Sequence, residues 1–166
     1  MTSLPTYVSR MGHGEISYEV PLKISDVTSY GFILPADSDK LQTFVDQQMN
    51  VVSDGAVNYT ALPFVIHSYL DAKHATSTTE QIGYLPDREA AFLVPLLEWK
   101  NGKTLPELKV WVPYLLIDKM SGMVTGREVW GYHKTLGEIT LPEKPGEDIN
   151  TTTNKKTNSF DDVFTL

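Results

Sequence analysis

The chain has 166 residues, no cysteine and a formal charge of −7 at neutral pH. At 41% hydrophobic and 21% charged it is one ordinary globular domain, long enough to bury a continuous core. The acidic balance, without a cluster of Lys and Arg, excludes a phosphate-dominated nucleic-acid binder. The missing cysteines exclude disulfide frameworks, thiolate metal sites and thiol nucleophiles.

The N-terminal stretch MTSLPTYVSRMGHGE lacks a basic segment followed by an apolar run of signal-peptide length. The longest apolar runs, around FLVPLL and VWVPYLLI, are too short to span a bilayer. The expected setting is cytoplasmic, with no membrane and no nucleic-acid partner.

In chain order, ISYEVPLKISDV from Ile16 carries Pro21 and predicts an edge strand or extended arm. SYGFILPA, from Ser29 to Ala36, predicts a short buried strand stopped by Pro35. In DSDKLQTFVDQQMN, Leu41, Phe44, Val45 and Met49 recur at helical spacing. Asp37 or Ser38 can cap that helix, and Asn50 or Gly55 ends it.

Four strands follow: Val57 to Leu70, Ala90 to Lys100, Leu108 to Asp118 and Met123 to Lys134, with hairpin turns at Asn101-Gly102 and Ser121-Gly122. Pro63, Pro95 and Pro113 fall inside them, and proline is tolerated only at edges, bends or bulges. A strongly curved antiparallel sheet accepts all three. DAKHATSTTEQIGYLPD, between Leu70 and Arg88, predicts a long polar loop of the kind that shapes a pocket. The fold class is therefore α+β, mainly β, with one or two helices. From Pro142 onward the apolar content is low, so residues 1–145 form the domain and 146–166 a polar, flexible tail.

GREVWGYHKTLGE, from Gly126 to Glu138, sets Lys134 at the end of an aromatic run. One reading is a solvated lysine at a strand end; the other is an amine kept poor in water so that it acts as a nucleophile. Strand alternation would put Glu128, Trp130, Tyr132 and Lys134 on one face and Arg127, Val129 and His133 on the other, with Glu128 roughly 20 Å from Lys134. His67 and His74 lack a third ligand at plausible spacing, so they are read as a strand and a loop histidine and not as a metal site.

GREVWGYHKTLG resembles the active-site segment of the acetoacetate decarboxylase family, in which Gly-Arg-Glu and an aromatic stretch precede a Schiff-base lysine and Leu-Gly follows one residue later. The resemblance implies that Lys134 is that lysine and that the sheet is the family's β-cone or barrel. The family's acid/base glutamate stands six residues before a proline, as Glu89 stands before Pro95, so Glu89 is the implied acid/base residue. Its other reading is an ordinary acid in the turn PDRE. Where the family usually has Pro and a second Lys beside the nucleophile, this chain has His133 and Thr135. A further family glutamate corresponds to Thr60, and the family's substrate-binding arginine has no counterpart in DVTSYG. The match runs from about Tyr30 to Leu141, is sharp over Gly126 to Gly137, and ends earlier than family members do.

An iminium between a lysine amine and a ketone accepts the electrons left when a β-keto acid loses carbon dioxide. The amine must first be neutral. Bringing an ordinary lysine from about 10.4 to about 7 costs roughly 4.6 kcal/mol, which burial alone can supply. Desolvation or a cationic neighbour is the pattern of lysine activation in that family, and the resemblance carries it over. Trp130 and Tyr132 would then dry the site and contact substrate, and Arg127 would receive a carboxylate or form a strand-edge pair with Glu128. No metal or organic cofactor is implied, because the lysine is itself the electron sink.

The expected function is that of an acetoacetate decarboxylase-like lyase on a small β-keto or other keto acid. The alternatives are a Schiff-base aldolase or dehydratase on a larger keto acid, and a non-catalytic small-molecule-binding relic. Strand edges left open by the early ending predict a homo-oligomer.

Overall fold

A computed structural model describes residues 17–79 and 83–141. The expected tail from Pro142 lies outside the described residues. Among the described residues six strands form one sheet in the order β1-β3-β4-β5-β6, with β2 also paired to β4. They are β1 (Leu22–Pro35), β2 (Val57–Ala61), β3 (Phe64–Ser77), β4 (Leu85–Lys100), β5 (Glu107–Ile117) and β6 (Lys134–Leu136). The mainly β, α+β class agrees with the sequence reading. The sheet is not wholly antiparallel, because β6 runs parallel to β5.

The first helix forms where its apolar spacing requires. Asp37 accepts hydrogen bonds from the backbone N–H groups of Asp39 and Lys40, each at 3.1 Å, and starts α1 (Ser38–Val45). The helix continues through one π-helical turn (Asp46–Asn50) into α2 (Val51–Ser53) and stops at Asp54 and Gly55, whose φ angles are 47° and 76°. Val45, with Leu41 and Met49, packs on Val94, Leu96 and Trp111. Gln42 and Asn50 accept hydrogen bonds from the backbone N–H groups of Ala61 (2.9 Å) and Tyr59 (2.7 Å). Two helix amides thus occupy the backbone edge that β2 would otherwise expose.

Several expected boundaries move. The arm from Ile16 and the segment Ser29 to Ala36 fall largely in one strand, β1, and the second is exposed rather than buried because β1 pairs only with β3 among the described strands. Val57 to Leu70 is broken at Leu62-Pro63 into β2 and β3. The expected long loop is mostly strand: β3 continues to Ser77 and β4 starts at Leu85. Its polar residues are compatible with a strand because they find partners. Asp71 pairs with Lys73 (2.5 Å) and Arg88 (3.3 Å), and His74 lies 3.1 Å from Asp26. Asn101-Gly102 does turn the chain between β4 and β5. Pro113 sits in a bulge, where Val112 and Pro113 oppose Leu93 alone.

The largest correction concerns Met123 to Lys134, expected as a strand after a turn at Ser121-Gly122. Met120–Glu128 is instead a helix, α3. Gly122 and Gly126, one helical turn apart, let its backbone lie directly against the sheet. On the opposite face, Ile139 and Leu141 pack on Ala90 with Tyr69 and Leu116. Among the described residues no helix is long and apolar enough to cross a membrane.

Candidate active site

Sheet register brings the two expected catalytic residues together. Glu89 on β4 pairs with Ile117 on β5, and Lys134 on β6 pairs with Leu115 two residues earlier. Paired and alternate residues share a face, so Glu89, Ile117, Leu115 and Lys134 all point to one side. There the Lys134 Nζ donates a hydrogen bond to the Glu89 carboxylate, and the two form a salt bridge. Lys134 is only 9% exposed, which rules out the solvated strand-end reading.

The path of the chain explains the burial. After α3 the backbone turns at Gly131, with φ 73°, and enters β6 at Lys134. The Tyr132 N–H donates to the Gly126 carbonyl at 2.9 Å and fixes that return. The Lys134 side chain then runs back over Gly126, where a Cβ would stand 2.5 Å from its Cε. Any larger residue at 126 would occupy the lysine's channel.

Lys134 and Glu89 line a pocket of about 520 Å³. That lies within the range of roughly 300–1,000 Å³ usual for small-molecule sites. Its walls are mainly apolar, including Leu70, Leu93, Val112 and Leu115. Trp130 and Tyr132 also line it, and at 56% and 44% exposure they form its solvent-facing margin rather than a dry interior.

Arg127 is not part of this pocket. It is exposed at the last turn of α3, away from the lining residues. The alternation drawn through residues 127 to 134 fails for the same reason, since Glu128 and Lys134 belong to a helix and a separate strand. Thr60 pairs with Leu97 on β2 and lies off the pocket wall, so it does not stand where a second acid of the site would.

A second acid is present, and the sequence reading missed it. Asp87 lies two residues before Glu89 on the same face of β4 and lines the same pocket. Burial, with the nearby charges of Glu89 and Asp118, pushes its carboxyl up to about 7, against the opposing effect of Lys134 and Lys119. Tyr18 also enters the wall: its hydroxyl lies 3.0 Å from the Ser121 hydroxyl and its N–H donates to Thr125 at 2.9 Å. Burial raises its phenol, the hydrogen bond it shares with Ser121 opposes the shift and the charge of Asp87 adds to it. Had β4 been started at Leu85, alternation back from Glu89 would have found Asp87. Nothing in the spacing points to Tyr18, which reaches the site from more than a hundred residues away. Among the described residues no group of three or more His, Asp or Glu side chains is placed to hold a metal ion.

The arrangement offers an amine with a carboxylate in contact, so a proton can pass from nitrogen to oxygen without an intervening water.

The chain is similar to proteins whose names bear on that chemistry. A family model described as acetoacetate decarboxylase (ADC) matches residues 3–160. No curated protein sequence matches significantly. Among solved structures, an acetoacetate decarboxylase from Legionella pneumophila superposes with a TM-score of 0.56 at 17% identity, covering 75% of this chain and 42% of that one. The enduracididine biosynthesis enzyme MppR, complexed with the condensation product of pyruvate and imidazole 4-carboxaldehyde, superposes with a TM-score of 0.57 at 16% identity, covering 86% and 54%. A second MppR structure, with HEPES bound, gives 0.56 and 18%, covering 86% and 50%. The chain thus spans about half the length of the structures it matches, and at these identities the likeness is one of fold. The sequence match covers nearly the whole chain, and on it the chain belongs to the acetoacetate decarboxylase family.

Proposed function

We propose that the protein is a Schiff-base lyase acting on a small keto acid, with Lys134 as nucleophile and Glu89 as the proton carrier. The observation that carries this reading is the contact between the buried Lys134 amine and the half-buried Glu89 carboxylate within one pocket. Glu89 takes a proton from the Lys134 ammonium, and the freed amine adds to the substrate ketone. The carbinolamine loses water to give an iminium. The bond between the α-carbon and the carboxylate then breaks, carbon dioxide leaves, and the electron pair moves into the enamine. The proton that Glu89 took from the ammonium has left with the water, so Glu89 takes a second proton from solvent and gives it to the α-carbon; water then hydrolyses the iminium to release the ketone and restore the Lys134 ammonium.

Release of carbon dioxide from acetoacetate by the full chain tests the reading. Turnover that disappears in Lys134→Ala supports it; turnover unchanged in that variant sinks it.

A second reading, an aldolase or dehydratase on a larger keto acid, draws on the pocket volume of about 520 Å³, generous for a four-carbon acid, and on the condensation product held by MppR. Both readings use the same iminium, and product analysis with pyruvate plus an aldehyde separates them. A non-catalytic relic would bind keto acids without forming any adduct on Lys134. We also propose a homo-oligomer, because the outer edge of β1 pairs with no other described strand. Sedimentation as a monomer at working concentration would contradict that.

A further inference from the structure

We propose that the Asp87 carboxyl group, rather than an arginine, receives the carboxylate of a bound keto acid and donates a hydrogen bond to it. The inference rests on the reading that the substrate is a keto acid, and it deepens that reading by naming what selects the acid.

A carboxylate taken from water into a mainly apolar pocket needs a partner, because an unpaired buried charge is strongly disfavoured. Among the described residues the lining holds one cation, Lys134, which is already paired with Glu89 and carries the amine that must attack the ketone. None of the described arginines or histidines lines the pocket, and Arg127 is exposed elsewhere. What remains is a pair of carboxyl groups, Glu89 and Asp87, side by side on one face of β4. If both were ionised they would repel a keto acid. A protonated carboxyl group can instead donate to a carboxylate, and such charge-assisted hydrogen bonds are the stronger kind.

Asp87 is built for that role. Its Oδ1 is buried and makes no hydrogen bond within the described protein. Its oxygens lie 2.8 and 2.9 Å from the position a Cβ would take at Gly122, so the carboxyl is pressed against α3 with hydrogen-bonding capacity unused. The groups that face it are Glu89 on its own strand, Asp118 and Lys119 after β5, Lys134 on β6, and the Tyr18 phenol. Two carboxylates and burial favour its neutral form, which fits a donor. Arg88 sits on the opposite face, held by Asp71.

The role makes acid binding proton-linked. A carboxylate bound by neutral Asp87 holds a proton in place, so affinity is constant below about pH 7 and falls about tenfold per pH unit above it. Asparagine in place of Asp87 keeps a neutral donor of the same shape and cannot ionise.

The test is calorimetric titration of the full chain with butyrate, a four-carbon acid that has no ketone and needs no iminium, between about pH 6 and about pH 9. Wild type is expected to lose affinity with pH as above. Asp87→Asn is expected to bind with no such fall and more tightly than wild type at about pH 9. Asp87→Ala is expected to bind about tenfold or more weakly at about pH 6. A purely structural Asp87 would give no separation between the Asn and Ala variants in pH profile. The proposal is overturned if wild type fails to bind butyrate at about pH 6, if Asp87→Asn follows the wild-type profile, or if Asp87→Ala binds as wild type does. The Schiff-base reading is scored separately, by borohydride reduction of wild-type protein in the presence of acetone, an uncharged ketone. Absence of an acetone adduct on Lys134 would sink that reading and leave the butyrate result standing.

Discussion

Lys134 passes over α3 at Gly126, and the two residues share a volume that holds either the lysine methylenes or a Cβ, but not both. A Cβ at Gly126 would stand 2.5 Å from Lys134 Cε and 3.1 Å from Cγ. This contact joins the helix that sequence reading did not expect to the amine on which the proposed chemistry depends.

Gly126→Ala is therefore expected to displace Lys134 from Glu89. Alanine would gain up to about 1 kcal/mol of helix propensity, but overpacking costs about 1–3 kcal/mol, so the net change is a small loss of stability. The larger effect is expected on Lys134. Yield of the borohydride-reduced acetoacetate adduct should fall at least about tenfold, while thermal melting moves by only a few degrees. A wild-type adduct yield in Gly126→Ala would contradict the packing account.

Glu89→Gln keeps the size of the side chain and removes its ability to carry a proton. Turnover of the keto acid is expected to fall by about 10²- to 10⁴-fold. Arg127→Ala supplies the contrast, since Arg127 is exposed and off the pocket. Steady-state rates and melting of that variant should stay near wild type, within about 0.5 kcal/mol in stability. A large loss in Arg127→Ala would instead support the substrate contact expected from the sequence.

Asp87 also predicts how stability responds to pH. Its carboxyl is raised from 3.8 to about 7 on folding, so the native state holds a proton that the unfolded chain has released across that interval. The unfolded state then binds fewer protons, and this residue's contribution to stability declines as pH rises from about 4 to about 7. Asp87→Asn is expected to be more stable than wild type at about pH 8, by about 1–2 kcal/mol after allowance for solvent screening, with the difference closing towards about pH 4. Chemical denaturation of both proteins across that range measures it. A gap that widens on acidification would show the sign to be wrong.

The legible parts were those governed by local rules. Asp37 as a cap and Leu41, Val45 and Met49 as a helical stripe needed only capping chemistry and spacing. Lys134 and Glu89 came from a motif resemblance, and their meeting across β5 follows from register that no local pattern specifies. The failures have one physical theme, which is tertiary context overriding local signals. Gly122 reads as part of a turn and Gly126 as part of a strand until a sheet lies beneath them, where the missing side chains become the means of close packing. Asp71 and His74 read as loop residues until Arg88, Lys73 and Asp26 are placed beside them. Asp87 was hidden because the polar stretch from Asp71 to Asp87 reads as a loop, although β4 begins at Leu85.

The central claim is that the buried amine of Lys134 forms the iminium. Borohydride reduction in the presence of acetoacetate and of pyruvate, followed by peptide mass mapping, tests it directly. The account predicts a stable adduct confined to the peptide carrying Lys134 and absent from Lys134→Ala. A folded protein that yields no adduct with either acid, or one on another lysine, would contradict it.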